Sequence, residues 1–125
     1  METLYLAAVC AVLPGLRRST ITEIIKNLSS SRALFEASEA ELLATGLVEP
    51  KQLTQFITKR RLDMPEKLDR FCKANSIKLV SISDEAYPKA LKEIHDPPLV
   101  LYVKGEIPQA NYAIGIVGSR ECSYY

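Results

Sequence analysis

The end of the chain carries an apolar run, Tyr112-Ala113-Ile114-Gly115-Ile116-Val117, followed at once by Gly118-Ser119-Arg120. The run predicts a short buried β-strand that ends in a glycine turn. Gly118 lets a backbone approach an anion, Ser119 offers a hydroxyl, and Arg120 offers a charged fork of donors. Many α/β proteins begin a phosphate-binding turn in this way, and a helix whose N-terminus completes the anion site is expected next. We therefore expect these 125 residues to be the front piece of a longer protein.

The composition indicates ordinary globular protein, with 47% apolar and 25% charged residues. The formal net charge is +1, and the two halves of the chain are equally balanced. A strongly basic nucleic-acid-binding protein is therefore excluded, and any DNA binding has to come from a local patch.

The three cysteines, Cys10, Cys72 and Cys122, are far apart in sequence and form no C-x-x-C pair. The single histidine, His95, lies near none of them and has no recognisable catalytic partners. We predict no metal site, no disulfide framework and no catalytic residue, and a reducing cytoplasm is the expected location. The apolar stretch 4–13 lacks a basic start and is too short to span a bilayer, so it predicts a buried first helix.

Apolar periodicity predicts five short helices in the first 60 or so residues. Pro14-Gly15 breaks the first helix, and Ser38 with Glu41 forms a capping-box pattern that begins a later one. A similar pattern, Asp63 with Glu66, begins a sixth helix. Two apolar runs, 77–82 and 99–103, then predict β-strands of a sheet that is covered on both sides. The predicted fold is α+β, with a helical domain over 1–64 and the start of an α/β domain over 65–125.

The turn Leu13-Pro14-Gly15-Leu16 is similar to a helix-hairpin-helix turn, which aims backbone N–H groups at a DNA phosphate. A plain corner between two helices is the favoured explanation, since such DNA binders usually carry a second glycine where Arg17 stands here. The adjacent Arg17 and Arg18 keep the DNA-binding alternative open, so Gly15, Arg17 and Arg18 are candidates for a secondary DNA contact. The basic run Lys59-Arg60-Arg61 is better explained as a solvated helix end that complements the helix dipole.

A spaced series of residues precedes the phosphate turn: Tyr87-Pro88-x-x-Leu91-x-x-Ile94-x-Asp96-Pro97-Pro98-x-x-Leu101-Tyr102-x-x-Gly105. Together with Ala113-Ile114-x-Ile116-Val117-Gly118-Ser119-Arg120-x-x-Ser123-x-Tyr125, it resembles the DNA-processing protein A (DprA/Smf) family. The helical first half resembles that family's SAM-like or helix-hairpin-helix-like N-terminal domain. The resemblance is specific over 87–125 and generic before it.

The resemblance implies a Rossmann-like domain that binds single-stranded DNA, protects incoming DNA during natural transformation and hands it to RecA. It assigns phosphate binding to Gly118, Ser119, Arg120, Ser123 and Tyr125. It implies no enzyme activity, no cofactor and no membrane association, and it includes a homodimer among the assemblies to be expected. Further strands, a second basic DNA contact and the RecA surface would follow Tyr125, so this chain is expected to hold at most half of the DNA site.

Two other functions stay open from the sequence. A related Rossmann-like hydrolase would hold a nucleotide phosphate on a similar turn, but it needs a downstream glycine-rich motif with a catalytic glutamate, which these residues do not contain. Alternatively, the helical domain is a protein-interaction module and the remainder is scaffold.

Overall fold

The computed structural model describes residues 1–121 and residue 123. Seven helices and two strands lie in this part of the chain. In chain order they are α1 (Glu2–Val12), α2 (Arg18–Leu28), α3 (Ser31–Glu36), α4 (Glu39–Ala44), α5 (Pro50–Lys59), α6 (Met64–Ala74), β1 (Ile77–Ser81), α7 (Lys89–Lys92) and β2 (Val100–Lys104). The α+β class and the five helices before residue 60 are thus confirmed.

Short polar signals define where the helices begin and end. At α4 the capping box predicted from Ser38 and Glu41 is present, with a 2.7 Å bond from the Ser38 N–H to the Glu41 carboxylate and a 3.2 Å bond back from the Glu41 N–H to the Ser38 hydroxyl. The box predicted at Asp63 and Glu66 is wrong, because the Asp63 side chain makes no cap bond to α6. Its carboxylate instead pairs with Lys67, one helical turn on.

The helices pack around α1, whose buried side chains include Val9 and Val12. Ile24 of α2 and Leu34 and Phe35 of α3 are fully shielded from solvent at the centre of this core. The core continues past the helical region, because Leu99, just before β2, packs into the same cluster. The division into domains at residue 64 stays a prediction.

β1 and β2 form a two-stranded antiparallel sheet in which Leu79 lies opposite Tyr102 and Val80 lies opposite Leu101. Val100 packs against the helical core, so the sheet face that it shares with Tyr102 is turned towards the helices. On the other face, Val80 and Val103 line a cleft of about 640 Å³ with residues 85–90 and 105–110.

The third predicted strand, 112–117, is wrong for this structure. Residues 106–121 contain no helix or strand, and Ile114, Ile116 and Val117 are more than nine-tenths exposed. A strand needs a neighbour that satisfies its backbone N–H and C=O groups and covers its side chains. No described residue supplies either, so the apolar run stays extended in solvent. In the part of the chain that the structure describes, the sheet therefore consists of β1 and β2 alone. None of the described helices has both the length and the apolar character needed to cross a bilayer.

Candidate nucleic-acid interface

The predicted phosphate turn lies in the exposed segment after β2. Gly118, Ser119 and Arg120 are all exposed, and a Cβ built on Gly118 would meet no atom within 4 Å. The Ser119 hydroxyl donates a hydrogen bond to the backbone carbonyl of Glu121. Within residues 1–121, the Arg120 guanidinium makes neither an ion pair nor a hydrogen bond. No residue in 1–121 therefore competes with an external anion for its donors.

The two other residues assigned to this turn are less informative. Ser123 is exposed and has no regular structure, and Tyr125 lies outside the described residues. The strand that was expected to lead into the turn is absent, and so is a following helix in the part of the chain that is described. The turn consequently holds the donor groups of a phosphate site without the rigid frame that usually fixes them.

The second candidate contact is the turn between α1 and α2. Leu13 and Leu16 are buried, whereas Pro14 and Gly15 are exposed between them. The Leu16 N–H closes the turn with a 3.1 Å bond to the Leu13 carbonyl. Gly15 is not in the left-handed region, and a Cβ there would meet no atom within 4 Å. Nothing within the described chain requires glycine at this position.

Two arginines follow this turn at the start of α2. Arg17 is exposed and makes no side-chain cap bond. Arg18 donates from Nη1 to the Asp96 carboxylate and, at 2.8 Å, to the Asp96 backbone carbonyl. The two side chains are 40% and 58% exposed and lie in an open cleft of about 560 Å³ beside His95 and Thr22.

Sequence reasoning missed the Arg18–Asp96 pair and placed Asp96 only in the spaced series that precedes the phosphate turn. The two residues are 78 positions apart, and no local pattern couples them. No hydrogen bond or ion pair between described residues joins the turn at 118–120 to the turn at 13–18, so the two candidate contacts are structurally separate here.

In the basic run at the end of α5, Arg60 has a structural role, but it is half-buried against α3 and is not the solvated helix end that the sequence predicts. Arg60 donates 2.7 Å bonds to the backbone carbonyls of Phe35 and Ala37, and its guanidinium lies 5.1 Å from the centre of the Phe56 ring. It therefore satisfies free carbonyl groups at the end of α3. Arg61 lies 3.6 Å from Asp63 in an exposed ion pair.

The chain is similar in part to proteins of a known family. Residues 78–125 match the family described as DNA recombination-mediator protein A. This segment of the chain is therefore similar to the DprA/Smf family. The resemblance inferred from residues 87–125 is thus confirmed, and the matched segment includes the phosphate turn but not residues 13–18.

Three curated relatives carry family names. The chain is 32% identical over 63 residues to Protein Smf of Borreliella burgdorferi, a match that covers 50% of this chain and 20% of the relative. It is 36% identical over 76 residues to the DNA processing protein DprA of Bacillus subtilis, covering 59% and 24%. It is 43% identical over 44 residues to the DprA of Streptococcus pneumoniae, covering 34% and 16%. The matched stretches are therefore at most a quarter of each relative's length. No solved structure matches the chain.

The structure gives several residues of the DprA/Smf series a packing role. Tyr87 is 2% exposed, and its hydroxyl donates a 2.7 Å bond to the backbone carbonyl of Pro98. Burial raises the pKa of Tyr87, so the phenol stays protonated and keeps donating. Lys92 lies over the Tyr87 ring, 5.6 Å from its centre. Through these contacts, this part of the matched segment supports the start of β2.

The part of the chain that the structure describes contains no group of three or more His, Cys, Asp or Glu residues that could hold a metal ion. Burial raises the pKa of the Cys10 and Cys72 thiols, which favours their neutral form. Neither thiol is arranged as a nucleophile or a ligand.

Proposed function

We propose that this chain is part of a DNA-processing protein that binds single-stranded DNA, with Arg120 as its principal phosphate contact. The observation that supports this most is the DprA/Smf match, which runs through an exposed Gly118-Ser119-Arg120 whose arginine has no partner within residues 1–121. Two bacterial relatives that match part of the chain are named DNA processing proteins.

The chemistry of the turn suits a sugar–phosphate backbone. A guanidinium binds two phosphate oxygens at once, a hydroxyl can donate to a third, and glycine leaves room for backbone N–H groups to approach. Because the net charge is only +1, general attraction between chain and DNA is weak. Affinity should then depend on a few local phosphate contacts and fall as salt is added.

A second contact is proposed at the turn between α1 and α2. Gly15 and Arg17 are exposed there, and Arg18 lies beside them. In this proposal the helical region is a SAM-like or helix-hairpin-helix-like domain, and the segment from residue 65 is the start of a Rossmann-like domain. The two regions then touch one strand at separate phosphates.

The remaining functions belong to the whole protein, and they rest on the family alone. They are protection of incoming DNA in natural transformation, transfer of that DNA to RecA, and assembly as a homodimer in the cytoplasm. We propose no catalytic step and no cofactor for this segment.

Mapping the bound strand by NMR tests the proposal. Adding unlabelled oligo-dT to ¹⁵N-labelled protein should shift the amide signals of Gly118, Ser119 and Arg120 more than those of the basic run at 59–61. A smaller set of shifts is expected at residues 15–18. Equal small shifts over the whole surface, or shifts confined to 59–61, would contradict the assignment.

A further inference from the structure

The Arg18–Asp96 ion pair joins a proposed DNA contact to the loop that precedes β2. Nη1 of Arg18 donates both to the Asp96 carboxylate and to the Asp96 backbone carbonyl. The remaining nitrogens of this guanidinium make no hydrogen bond to the described residues. One unit of positive charge is thus neutralised inside the chain at the very place where the proposed function needs it.

A carboxylate and a phosphate compete for a guanidinium in the same way. Both present oxygen atoms that accept charged hydrogen bonds, often two at a time. Asp96 therefore holds both Nη1 hydrogens, and a DNA phosphate that binds Arg18 through Nη1 has to displace it.

The strength of the pair decides whether DNA could displace Asp96. The Arg18 side chain is 40% exposed and that of Asp96 is 58% exposed, so water and salt screen their attraction. Ion pairs of this kind contribute about 0–1 kcal/mol. Such a pair is weak enough to exchange for a phosphate, yet it still opposes the exchange.

Breaking the pair would not release the loop, since other contacts hold it. The Tyr87 hydroxyl binds the carbonyl of Pro98 at 2.7 Å, and Leu99 is buried in the core. The Ile82 N–H also binds the Leu99 carbonyl at 2.9 Å. Replacing Asp96 should therefore leave the fold intact.

We infer that Asp96 is an autoinhibitory anion that competes with DNA phosphate for Arg18. The inference rests on the proposed function, because it concerns the regulation of the proposed second contact. The turn at 13–18 is held in a weak-binding state until a strand, already anchored at Arg120, displaces the carboxylate. Release adds a phosphate contact without any change of fold.

The test compares Asp96→Asn with Glu93→Gln in the full chain, by fluorescence anisotropy of labelled oligo-dT over a series of salt concentrations. Glu93 is an exposed acid in the same loop with no ion pair among the described residues, so its variant removes the same charge and leaves Arg18 paired. Asp96→Asn should bind about two- to fivefold more tightly at low salt. The slope of log K against log salt should steepen by about 0.7, the value for one further phosphate contact on a single strand. Glu93→Gln should change neither quantity by as much.

Arg18→Ala supplies the second half of the test. In the double variant Arg18→Ala/Asp96→Asn, the tighter binding and the steeper salt dependence expected of Asp96→Asn should both disappear. Two results would overturn the inference: Asp96→Asn tightens binding even when Arg18 is replaced by alanine, or Asp96→Asn behaves like Glu93→Gln. The proposed function would still stand in either case, provided that wild type binds DNA and Arg120→Ala does not. If circular dichroism shows that all variants are folded and neither wild type nor Asp96→Asn binds, both are overturned.

Discussion

The phenol oxygen of Tyr87 lies 2.7 Å from the backbone carbonyl oxygen of Pro98 and donates a hydrogen bond to it. This bond fixes the loop between β1 and β2 at a buried position, because Tyr87 is only 2% exposed. The same loop contains Asp96, which pairs with Arg18 of α2. The buried Tyr87 thus supports the ion pair between the helical region and the loop before β2.

Tyr87→Phe should lower the free energy of unfolding by about 0.5–1.5 kcal/mol, because the half-buried Pro98 carbonyl loses its donor. Urea denaturation measures the change. Tyr112→Phe is the matched control, since Tyr112 is 92% exposed and should show no effect. Equal stability of both variants and wild type would contradict the role given to this bond.

Arg60→Ala should destabilise the chain by about 1–3 kcal/mol, because two carbonyls at the end of α3 lose a charged donor. Arg61→Ala removes the same charge from an exposed pair and should stay within about 0.5 kcal/mol of wild type. Thermal or urea unfolding distinguishes them. Two equally stable variants that both lose DNA affinity would mean that this basic run is a DNA contact after all.

The capping box of α4 gives a pH dependence with a definite sign. Hydrogen bonds from the backbone N–H and the hydroxyl of Ser38 hold the pKa of Glu41 below its ordinary value of 4.5. A lowered folded-state pKa means that the ionised carboxylate stabilises the fold. This contribution is present above the ordinary value and is lost as the pH falls through the lowered one.

The amide proton of Ser38 reports this titration directly, because it donates to the Glu41 carboxylate. Its NMR shift should move with a midpoint below 4.5, and Glu41→Gln should abolish the transition. A midpoint at or above the ordinary glutamate value would show that the box does not persist in solution.

The apolar run at 112–117 should exchange its amide hydrogens at nearly the rate of an unstructured peptide, because its side chains are more than nine-tenths exposed. Hydrogen-bonded amides in β1 and β2 should exchange more slowly. Such an exposed apolar run also favours association between chains. Slow exchange of Ile114 and Ile116 in a dilute monomer would contradict the placement of this run.

Local patterns were enough to predict most of the fold. Helix periodicity and the Ser38–Glu41 box indicated α4 correctly, and apolar runs indicated β1 and β2 nearly to the residue. The residues that form such a pattern are only a few positions apart, so a short stretch of sequence contains all of them. The strand predicted at 112–117 failed for the opposite reason, since a strand exists only with a partner, and its own residues do not say whether one is there.

The candidate site was also predicted only in part: the contiguous motif was found, and the contact between distant residues was not. Gly118-Ser119-Arg120 is a contiguous motif, and its residues are exposed as a binding turn requires. The engagement of Arg18 by Asp96 arises only when the fold brings α2 beside the loop before β2. A contact over 78 positions leaves no trace in a single sequence.

The measurement that tests the central claim most directly is the affinity of the full chain for labelled oligo-dT, beside Arg120→Ala and the control Arg61→Ala. Loss of one guanidinium–phosphate contact should cost about 1.5–3 kcal/mol, or about 10- to 150-fold in affinity. It should also flatten the salt dependence by about 0.7 in slope. We predict this result for Arg120→Ala, with Arg61→Ala close to wild type. Unchanged affinity and slope for Arg120→Ala in a chain that binds DNA would contradict the account.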